Sequence, residues 1–289
     1  MRFAITGAAG MLGQDLVAAS RSAGHDAVTL PRAELDITNA SAVADALRVA
    51  RADVVFNCAA WTDVDGAERD EDAALTVNGA GAGNVARAAA ATGAWTIHFS
   101  SDYVFDGTKR VPYVESDRVG PLSAYGRSKL AGELAVASAA PERHTIVRSS
   151  WLFGTGGPCF PATILRLAAD RDELKVVDDQ VGCPTFTGDL AAAVVELGVR
   201  AVRPVGLLHV AGGGSCSWLE FAREIVDGAG VTCEVKPCSS DEMPRPATRP
   251  AYSVLRSERG GEAPALPEWR DGLAEYMALT AAAREVKAV

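Results

Sequence analysis

The sequence predicts an α/β fold, in which helices cover both faces of a parallel sheet and a smaller C-terminal lobe lies beside it. Short apolar segments of strand length alternate with helical segments over residues 1–150, which is typical of such a sheet. After Ser150 the alternation loosens, and Gly and Pro cluster at 154–161 and 182–188. The chain has 289 residues, 48% of them hydrophobic, which is enough to build both parts.

The predicted elements follow in order along the chain. Strands of the sheet are predicted at 3–6, 26–30, 53–57, 95–100, 144–149 and 206–211. Helices are predicted over 11–23, about 71–92, 123–140 and 188–201. A further helix begins near Ser217, whose spacing to Glu220 is that of a capping box. The remaining elements are a short strand at 233–237, an extended Pro-rich stretch at 243–255 and a helical region from Leu266 to Val289.

Composition and charge exclude several classes of protein. A net charge of −9 and a pI of about 5.0 argue against binding to nucleic acid or to an anionic membrane, which needs a basic patch. The N-terminus lacks the features of a signal peptide, and no apolar run reaches the roughly 18 to 20 residues that span a bilayer. The six cysteines form no C-x-x-C pair, so we expect reduced thiols and a cytoplasmic protein.

A glycine-rich turn follows the first predicted strand. In "TGAAGMLG", Gly7 permits the tight turn, Gly10 lets a pyrophosphate approach the backbone, and Gly13 allows close packing of helix on strand. The following helix N-terminus supplies N–H donors for the pyrophosphate. The turn therefore predicts a Rossmann-type dinucleotide-binding domain. Its predicted extent is 1–150, with 187–211 returning to it, while 151–186 and 212–289 form the substrate-binding lobe.

The G-x-x-G-x-x-G spacing is similar to that of the short-chain dehydrogenase/reductase superfamily. This resemblance implies that Asp36 and Ile37 hold the adenine, and that Ala59 and Ala60 leave room for the cofactor ribose. The full set of residues expected to line the cofactor is Gly7, Gly10, Met11, Leu12, Gly13, Arg32, Asp36, Ile37, Ala59, Ala60, Trp61, Asn78, Ser100, Tyr125 and Lys129.

The end of the second strand bears on the choice of cofactor. No acid stands at 31–33, and the guanidinium of Arg32 suits a 2′-phosphate, so NADPH is expected, with NADH possible. Two alternatives stay open. Arg32 is a solvated loop residue in one, and in the other Glu34 turns inward to accept a ribose hydroxyl.

The segments "SSDYVF" and "YGRSK" carry the expected chemistry. Tyr125 and Lys129 are four residues apart, so they share one face of a helix. A nearby ammonium and an oxidised nicotinamide are expected to lower the pKa of the Tyr125 phenol from its usual value of about 10. Ser101, at the end of the fourth strand, offers a hydroxyl to hold a substrate carbonyl. The sequence therefore predicts acid–base catalysis by Ser101, Tyr125 and Lys129.

Several longer segments resemble the dTDP-4-dehydrorhamnose reductase family. They include "NCAAWTDVDGAE", "SSDYVFDG", "YGRSKLAGE", "VVDDQVGCPT" and "RPATRPAYSVL", and together they cover nearly the whole chain in order. The resemblance implies NADPH-dependent reduction of the 4-keto group of a dTDP-linked 6-deoxy sugar, the last step to dTDP-L-rhamnose. It places the substrate-contacting residues at Ser101, Asp102, Tyr103, Val104, Phe105, Trp151, Arg245 and Arg249.

The resemblance has two departures. Some members dimerise through Mg²⁺ held by clustered acids; Asp15 stands where one such acid would be, but the others find no match, so no metal is predicted and a monomer or homodimer is expected. The segment "TGGPCFPATILRL", expected to border the substrate, differs from the family's usual motif, so the identity of the sugar stays open.

Two rival functions follow. One is a 4-ketoreductase of a related nucleotide sugar in antibiotic or streptose-type biosynthesis. The other is a non-catalytic NADP-binding regulatory subunit, against which the intact Ser101, Tyr125 and Lys129 set argues.

Overall fold

The first half of the chain alternates strands and helices as the sequence predicts. In the computed structural model, which describes residues 1–288, it contains β1 (Arg2–Thr6), α1 (Met11–Ser22), β2 (Asp26–Leu30), α2 (Ala40–Ala50), β3 (Val54–Asn57), α3 (Val64–Arg69), α4 (Glu71–Leu75), α5 (Ala82–Ala91), β4 (Trp95–Ser101), α6 (Ala124–Ala139) and β5 (His144–Ser149). A π-helical turn, Thr76–Gly81, joins α4 to α5, so the helix predicted over 71–92 is three segments. The short helices α2 and α3 were not predicted.

The second half contains shorter elements. They are β6 (Leu152–Phe153), α7 (Phe160–Ala169), β7 (Glu173–Val177), β8 (Val181–Gly182), β9 (Thr185–Phe186), α8 (Thr187–Val199), β10 (Gly206–His209), β11 (Cys216–Ser217), α9 (Trp218–Ala229), β12 (Glu234–Cys238) and α10 (Trp269–Ala288). The capping box that begins α9 is confirmed, since Ser217 and Glu220 bond each other's backbone N–H. Helix α7 and strand β7 were missed. Val289, the last residue of the predicted C-terminal helical region, lies outside the described residues.

A six-stranded parallel sheet organises the molecule. Its strand order is β10-β5-β4-β3-β1-β2, and every neighbouring pair is parallel. The predicted parallel sheet is confirmed, including its sixth strand. The order reverses between β1 and β3, and ligands of such sheets bind at this switch point, beyond the carboxyl ends of the strands.

Hydrophobic packing closes both faces of the sheet. One face buries residues such as Phe3, Ile5 and Leu16 together with Leu190 and Val194, which bring α1 and α8 onto it. The other face packs against α2 and α5. A separate core, which includes Phe153 and Phe221, lies under α7, α9 and α10. The sheet therefore forms a rigid base, and the second core supports the segments that approach its carboxyl edge.

Two general expectations can be compared with the structure. All six cysteines are free thiols, as the sequence analysis expects. Over the described residues, no helix has the length and apolar character required to cross a bilayer.

Candidate active site

The glycine turn after β1 has the geometry that a bound pyrophosphate needs. Gly7 adopts a left-handed conformation with φ of 63°, which a side chain would strain. A Cβ on Gly7 would lie 2.7 Å from the Ala59 backbone nitrogen, and one on Gly13 would lie 2.4 Å from the Gly7 carbonyl oxygen. Gly10 donates its N–H to that carbonyl at 2.9 Å, immediately before α1 begins. The turn therefore leaves backbone exposed at a helix N-terminus, where a dinucleotide fits.

The loop after β2 carries both charged residues that bear on cofactor choice. Arg32 and Glu34 are exposed, and the charge of Arg32 reaches the carboxylate of Asp36. Two hydrogen bonds from Thr38 are the main reason that the pKa of Asp36 is lowered, so this carboxylate is ionised and fixed in place. Ile37 is buried, with its side chain against Gly81. The arrangement leaves Arg32 free to approach a 2′-phosphate.

Asn78 fixes the backbone beside the expected cofactor ribose. Its amide oxygen accepts the N–H of Trp61 at 2.8 Å, and its Nδ2 donates to the Trp61 carbonyl and to Ser128 Oγ. The side chain is 1% exposed. Asn78 therefore fixes the turn that contains Trp61, and its predicted contact with the cofactor stays a prediction.

Ser101, Tyr125 and Lys129 converge at the carboxyl end of β4. Ser101 is the last residue of β4, while Tyr125 and Lys129 lie on α6, which Ser123 caps by accepting the Gly126 N–H. A Cβ on Gly126 would lie 2.2 Å from the carbonyl oxygen of Tyr103, so only glycine lets α6 approach the turn after β4 this closely. The ring of Tyr103 meets the ring of Tyr125 edge-on at 5.5 Å.

In the protein alone, the surroundings of Tyr125 raise the pKa of its phenol, and the lowering expected with an oxidised nicotinamide stays a prediction. Burial, followed by the negative charge of Asp102, raises the pKa of Tyr125 to about 12, and the Ser101 hydroxyl partly opposes this shift. The Lys129 ammonium donates to the Phe99 carbonyl at 2.7 Å. The phenol therefore keeps its proton near neutral pH, which suits a proton donor.

Asp102 and Lys129 are buried charged groups with little compensation. Ser101 donates to Asp102 Oδ1 at 2.9 Å, whereas Oδ2 is buried without a hydrogen-bond partner among the described residues. Burial raises the pKa of Asp102 to about 6, and the nearby hydroxyls of Ser253 and Ser101 only partly oppose this shift. Burial likewise lowers the pKa of Lys129 to about 8. Such shifted groups cluster at functional sites.

Two residues predicted to contact substrate lie instead in the core. Val104 and Phe105 are both 0% exposed. The Phe105 ring stacks on the Tyr113 ring with centroids 4.2 Å apart. The guanidinium of Arg148 lies 5.0 Å from the centroid of the Phe105 ring. Asp102 is also buried, at 1% exposed, so of the predicted substrate-contacting residues 102–105 only Tyr103 is partly exposed. Ser100 also points away from the expected cofactor, because its hydroxyl donates to Glu133 Oε1 at 2.6 Å.

Trp151 is held between two partners that sequence reasoning missed. Its ring stacks on Trp218 with centroids 3.5 Å apart and planes 5° apart. A Cβ on Gly182 would lie 2.4 Å from Cε2 and 2.6 and 2.7 Å from Nε1 and Cζ2, which places Gly182 over the other face of the indole. The backbone of Trp151 is left-handed, with φ of 47°, and such strain is often found at ligand sites. Both faces are covered, so a ligand meets the edge of the ring.

The two arginines predicted to contact the nucleotide occupy different surroundings. Arg249 forms two hydrogen bonds with the carboxylate of Asp65, at 3.1 and 2.9 Å, and its side chain is 14% exposed. Arg245 lies 3.9 Å from the same carboxylate and is 57% exposed. Arg245 therefore has the more accessible guanidinium for a diphosphate.

Asp15 lies half-buried on α1, and burial raises the pKa of its carboxyl group. Among the described residues, no group of three His, Cys, Asp or Glu side chains is arranged to hold a metal ion.

Comparison with known proteins identifies the family. The profile of the family described as RmlD substrate binding domain matches residues 1–281. The dTDP-4-dehydrorhamnose reductase of Mycolicibacterium smegmatis is 45% identical over 282 residues, covering 96% of this chain and 85% of that protein. The chain belongs to this family.

Other members of the RmlD family extend the comparison. The crystal structure of dTDP-4-dehydrorhamnose reductase from Bacillus anthracis in complex with NADP has a TM-score of 0.92 and 38% identity, covering 96% of this chain and 99% of that chain. A Streptomyces niveus protein named dTDP-4-keto-6-deoxy-D-glucose reductase is 41% identical over 281 residues, covering 96% of this chain and 97% of that protein. The resemblance stated from sequence and the Rossmann-type fold are confirmed.

Proposed function

We propose that this RmlD-family chain is an NADPH-dependent oxidoreductase that reduces dTDP-4-dehydro-L-rhamnose to dTDP-L-rhamnose. The observation that carries the proposal is that Ser101, Tyr125 and Lys129 converge at the carboxyl end of β4, on the same edge of the parallel sheet as the glycine turn after β1. The names of the relatives and the bound NADP of the Bacillus anthracis structure support the same activity and cofactor.

The residues of the chain divide the work of this reduction. The turn at Gly7, Gly10 and Gly13 would hold the pyrophosphate of NADPH, which supplies a hydride when bound. Tyr125 holds a proton at neutral pH, because burial and the charge of Asp102 raise the pKa of its phenol. That proton passes to the C4 oxygen of the sugar as the alkoxide forms. Ser101 hydrogen-bonds the same oxygen and orients the ketone.

The preference for NADPH rests on Arg32. Its exposed guanidinium is free to bind a 2′-phosphate, while Glu34 is exposed to solvent. A charge-assisted contact of about 1.5 to 3 kcal/mol corresponds to roughly ten- to a hundredfold in kcat/KM. Arg32→Ala should remove most of that preference by weakening NADPH use alone. Equal kcat/KM for NADPH and NADH in the unmutated protein would return Arg32 to the role of a solvated loop residue.

A second candidate is reduction of a related 4-keto sugar nucleotide, which the name of the Streptomyces niveus relative favours. Purified protein should oxidise NADPH in the presence of dTDP-4-dehydro-L-rhamnose, and NMR should identify the product as dTDP-L-rhamnose. Faster turnover of dTDP-4-keto-6-deoxy-D-glucose would select the second candidate. NADPH binding without turnover of either sugar would select the regulatory subunit.

The remaining parts of the proposal concern surroundings and partners. A cytoplasmic protein is supported by the six free thiols. The net charge of −9 supports the absence of a nucleic-acid partner. We also propose that the protein is a monomer or homodimer and that it binds no metal. The chain is proposed to divide into a dinucleotide-binding domain and a substrate-binding lobe.

A further inference from the structure

The Pro-rich segment 243–255 is fixed at several places although it forms neither helix nor long strand. Asp65 accepts the N–H of Ala247 at 3.1 Å, in addition to its two hydrogen bonds from Arg249. Pro250 packs so closely on Gly107 that a Cβ there would lie 2.7 Å away. Further along, Val181 donates to the Ala251 carbonyl at 2.9 Å. The segment is therefore tied to residues from distant parts of the chain.

The pairing of Asp65 with Arg249 is mostly buried. The side chains are 24% and 14% exposed, and Arg249 also donates to the Ala247 carbonyl at 2.8 Å. Burial raises the pKa of Asp65, but hydrogen bonds from Arg249 and Ala247 and the charges of Arg249 and Arg245 together outweigh it, so the carboxylate stays ionised. Removing one partner would leave the other charge unpaired in a poorly solvated place.

The helix that carries Asp65, α3, also contacts α6, the helix that carries the proposed proton donor Tyr125. Asp65 lies on α3, and Glu68, one turn later, accepts the N–H of Ala124 at 2.7 Å, immediately before Tyr125. The charges of both Asp65 and Arg249 act on the pKa of Tyr103, whose ring meets that of Tyr125. Helix α3 therefore joins the segment 243–255 to the start of α6.

We propose that Asp65 and Arg249 are positioning residues that hold the segment 243–255 over the substrate site, so that Arg245 is the arginine that meets the nucleotide diphosphate. The proposal deepens the function proposed above and rests on it for the identity of the ligand. Because both Arg249 terminal nitrogens already bind Asp65 or Ala247, Arg249 acts on the substrate through Asp65. Arg245 makes no hydrogen bond within the described residues and stands at the exposed side of the same carboxylate.

A double-mutant cycle tests the positioning role. Arg249→Lys keeps the charge but loses the two-pronged geometry, and Asp65→Asn keeps the shape but loses the charge. Each should raise KM for the sugar nucleotide about ten- to a hundredfold, while the Kd for NADPH changes less than twofold. The double variant should be no worse than either single variant, because both act through one contact. Arg69→Gln, an exposed residue of the same helix, is the control and should leave KM unchanged.

Additive effects in the cycle would show that Arg249 contacts the ligand itself and would overturn the proposal. Unchanged KM in Arg249→Lys would overturn it too. Arg245→Gln should also raise KM, and adding Asp65→Asn to it should raise KM little further, because Asp65 acts through the position of Arg245.

Hydrogen–deuterium exchange provides a measurement that does not depend on substrate. Asp65→Asn should accelerate exchange of peptides from the segment 243–255, including the Ala247 N–H, at least tenfold, while peptides from the central sheet stay protected. Unchanged exchange would overturn the anchoring whatever the substrate proves to be. Accelerated exchange in a protein that reduces no 4-keto sugar would refute the proposed function and leave the anchoring intact. NADPH affinity within twofold of the unmutated value shows that each variant is folded.

Discussion

Two clusters of buried polar side chains lie side by side on β4, β5 and α6, and they differ in how fully their charges are compensated. In the first, Glu133 accepts three hydrogen bonds of 2.6 to 2.7 Å, two from Arg148 and one from Ser100. The second contains Asp102 and Lys129, where a carboxylate oxygen lacks a partner among the described residues and the pKa values of both groups are shifted by burial.

The difference separates a cluster completed by the protein itself from one whose groups belong to the proposed active site. Buried polar groups in folded proteins are almost always hydrogen-bonded, so an unpaired one calls for an explanation such as strain, a catalytic role or a bound water, ion or ligand. The Glu133–Arg148 pair is completed by the protein itself and holds β5 against α6. The Asp102 cluster is left incomplete at the carboxyl edge of the sheet, where substrate is proposed to bind. Adjacent residues, Ser100 and Ser101, belong to different clusters.

The largest expected effect falls on the incomplete cluster. Tyr125→Phe should lower kcat about 10²- to 10⁴-fold, because the C4 alkoxide loses its proton donor. NADPH affinity should change little, and ΔG of unfolding should be similar. Ser101→Ala should cost less, since Tyr125 also bonds the ketone, and Ser101→Thr, which keeps the hydroxyl, should stay active. Turnover of Tyr125→Phe near the unmutated rate would remove Tyr125 from the mechanism.

Substitution in the complete cluster should lower the free energy of unfolding. Glu133→Gln leaves the Arg148 charge buried, and breaking such a pair costs about 3 to 5 kcal/mol. Urea unfolding should measure this loss. The control is Glu71→Gln, which breaks an ion pair with Arg127 whose side chains are 39% and 44% exposed, and which should cost no more than about 1 kcal/mol. Similar losses in the two variants would contradict the proposed contrast between the clusters.

A pH series tests the buried carboxyl group of the incomplete cluster. The pKa of Asp102 is raised from 3.8 to about 6, so the folded state binds more protons than the unfolded state between these values. Asp102 should therefore lower stability as pH rises from about 4 to about 6, by about 3 kcal/mol in total. Asp102→Asn should lack this loss. The difference in unfolding free energy between Asp102→Asn and the unmutated protein should therefore shift in favour of the variant as pH rises over the same range.

The matched control for the pH series is Asp36→Asn. The pKa of Asp36 is lowered, chiefly by Thr38, so its contribution to stability is present at neutral pH and is lost as pH falls. The two variants should therefore show opposite pH trends relative to the unmutated protein. A flat difference for Asp102→Asn would mean that its carboxyl group titrates normally.

What the sequence predicts well is local in character. Tyr125 and Lys129 are one helical turn apart, and the glycines of the turn after β1 act on neighbouring backbone, so their spacing carries the information. The burial of Val104 and Phe105 could not be predicted. Phe105, for example, is covered by Tyr113 and Arg148 from elsewhere in the chain.

Long-range contacts explain the other omissions. Both faces of Trp151 are covered by Gly182 and Trp218, which lie 31 and 67 positions later in the sequence. The contact between Asp65 and Arg249 spans 184 positions. Sequence signals nevertheless existed: Gly182 lies within "VVDDQVGCPT", and Trp218 follows the capping Ser217 of α9. Their partners become visible only after the chain has folded.

The smallest expected effect tests the boundary between the clusters. Ser100 was predicted to contact the cofactor, but its hydroxyl donates to Glu133 at 2.6 Å and the residue is 8% exposed. Ser100→Ala removes one hydrogen bond to a charged acceptor, so stability should fall by about 1.5 to 3 kcal/mol. Glu133 keeps both bonds from Arg148, which places the expected value at the lower end. KM for NADPH and kcat should stay within twofold, in contrast to Ser101→Ala one position later. A rise in KM for NADPH without loss of stability would instead assign Ser100 to the cofactor site.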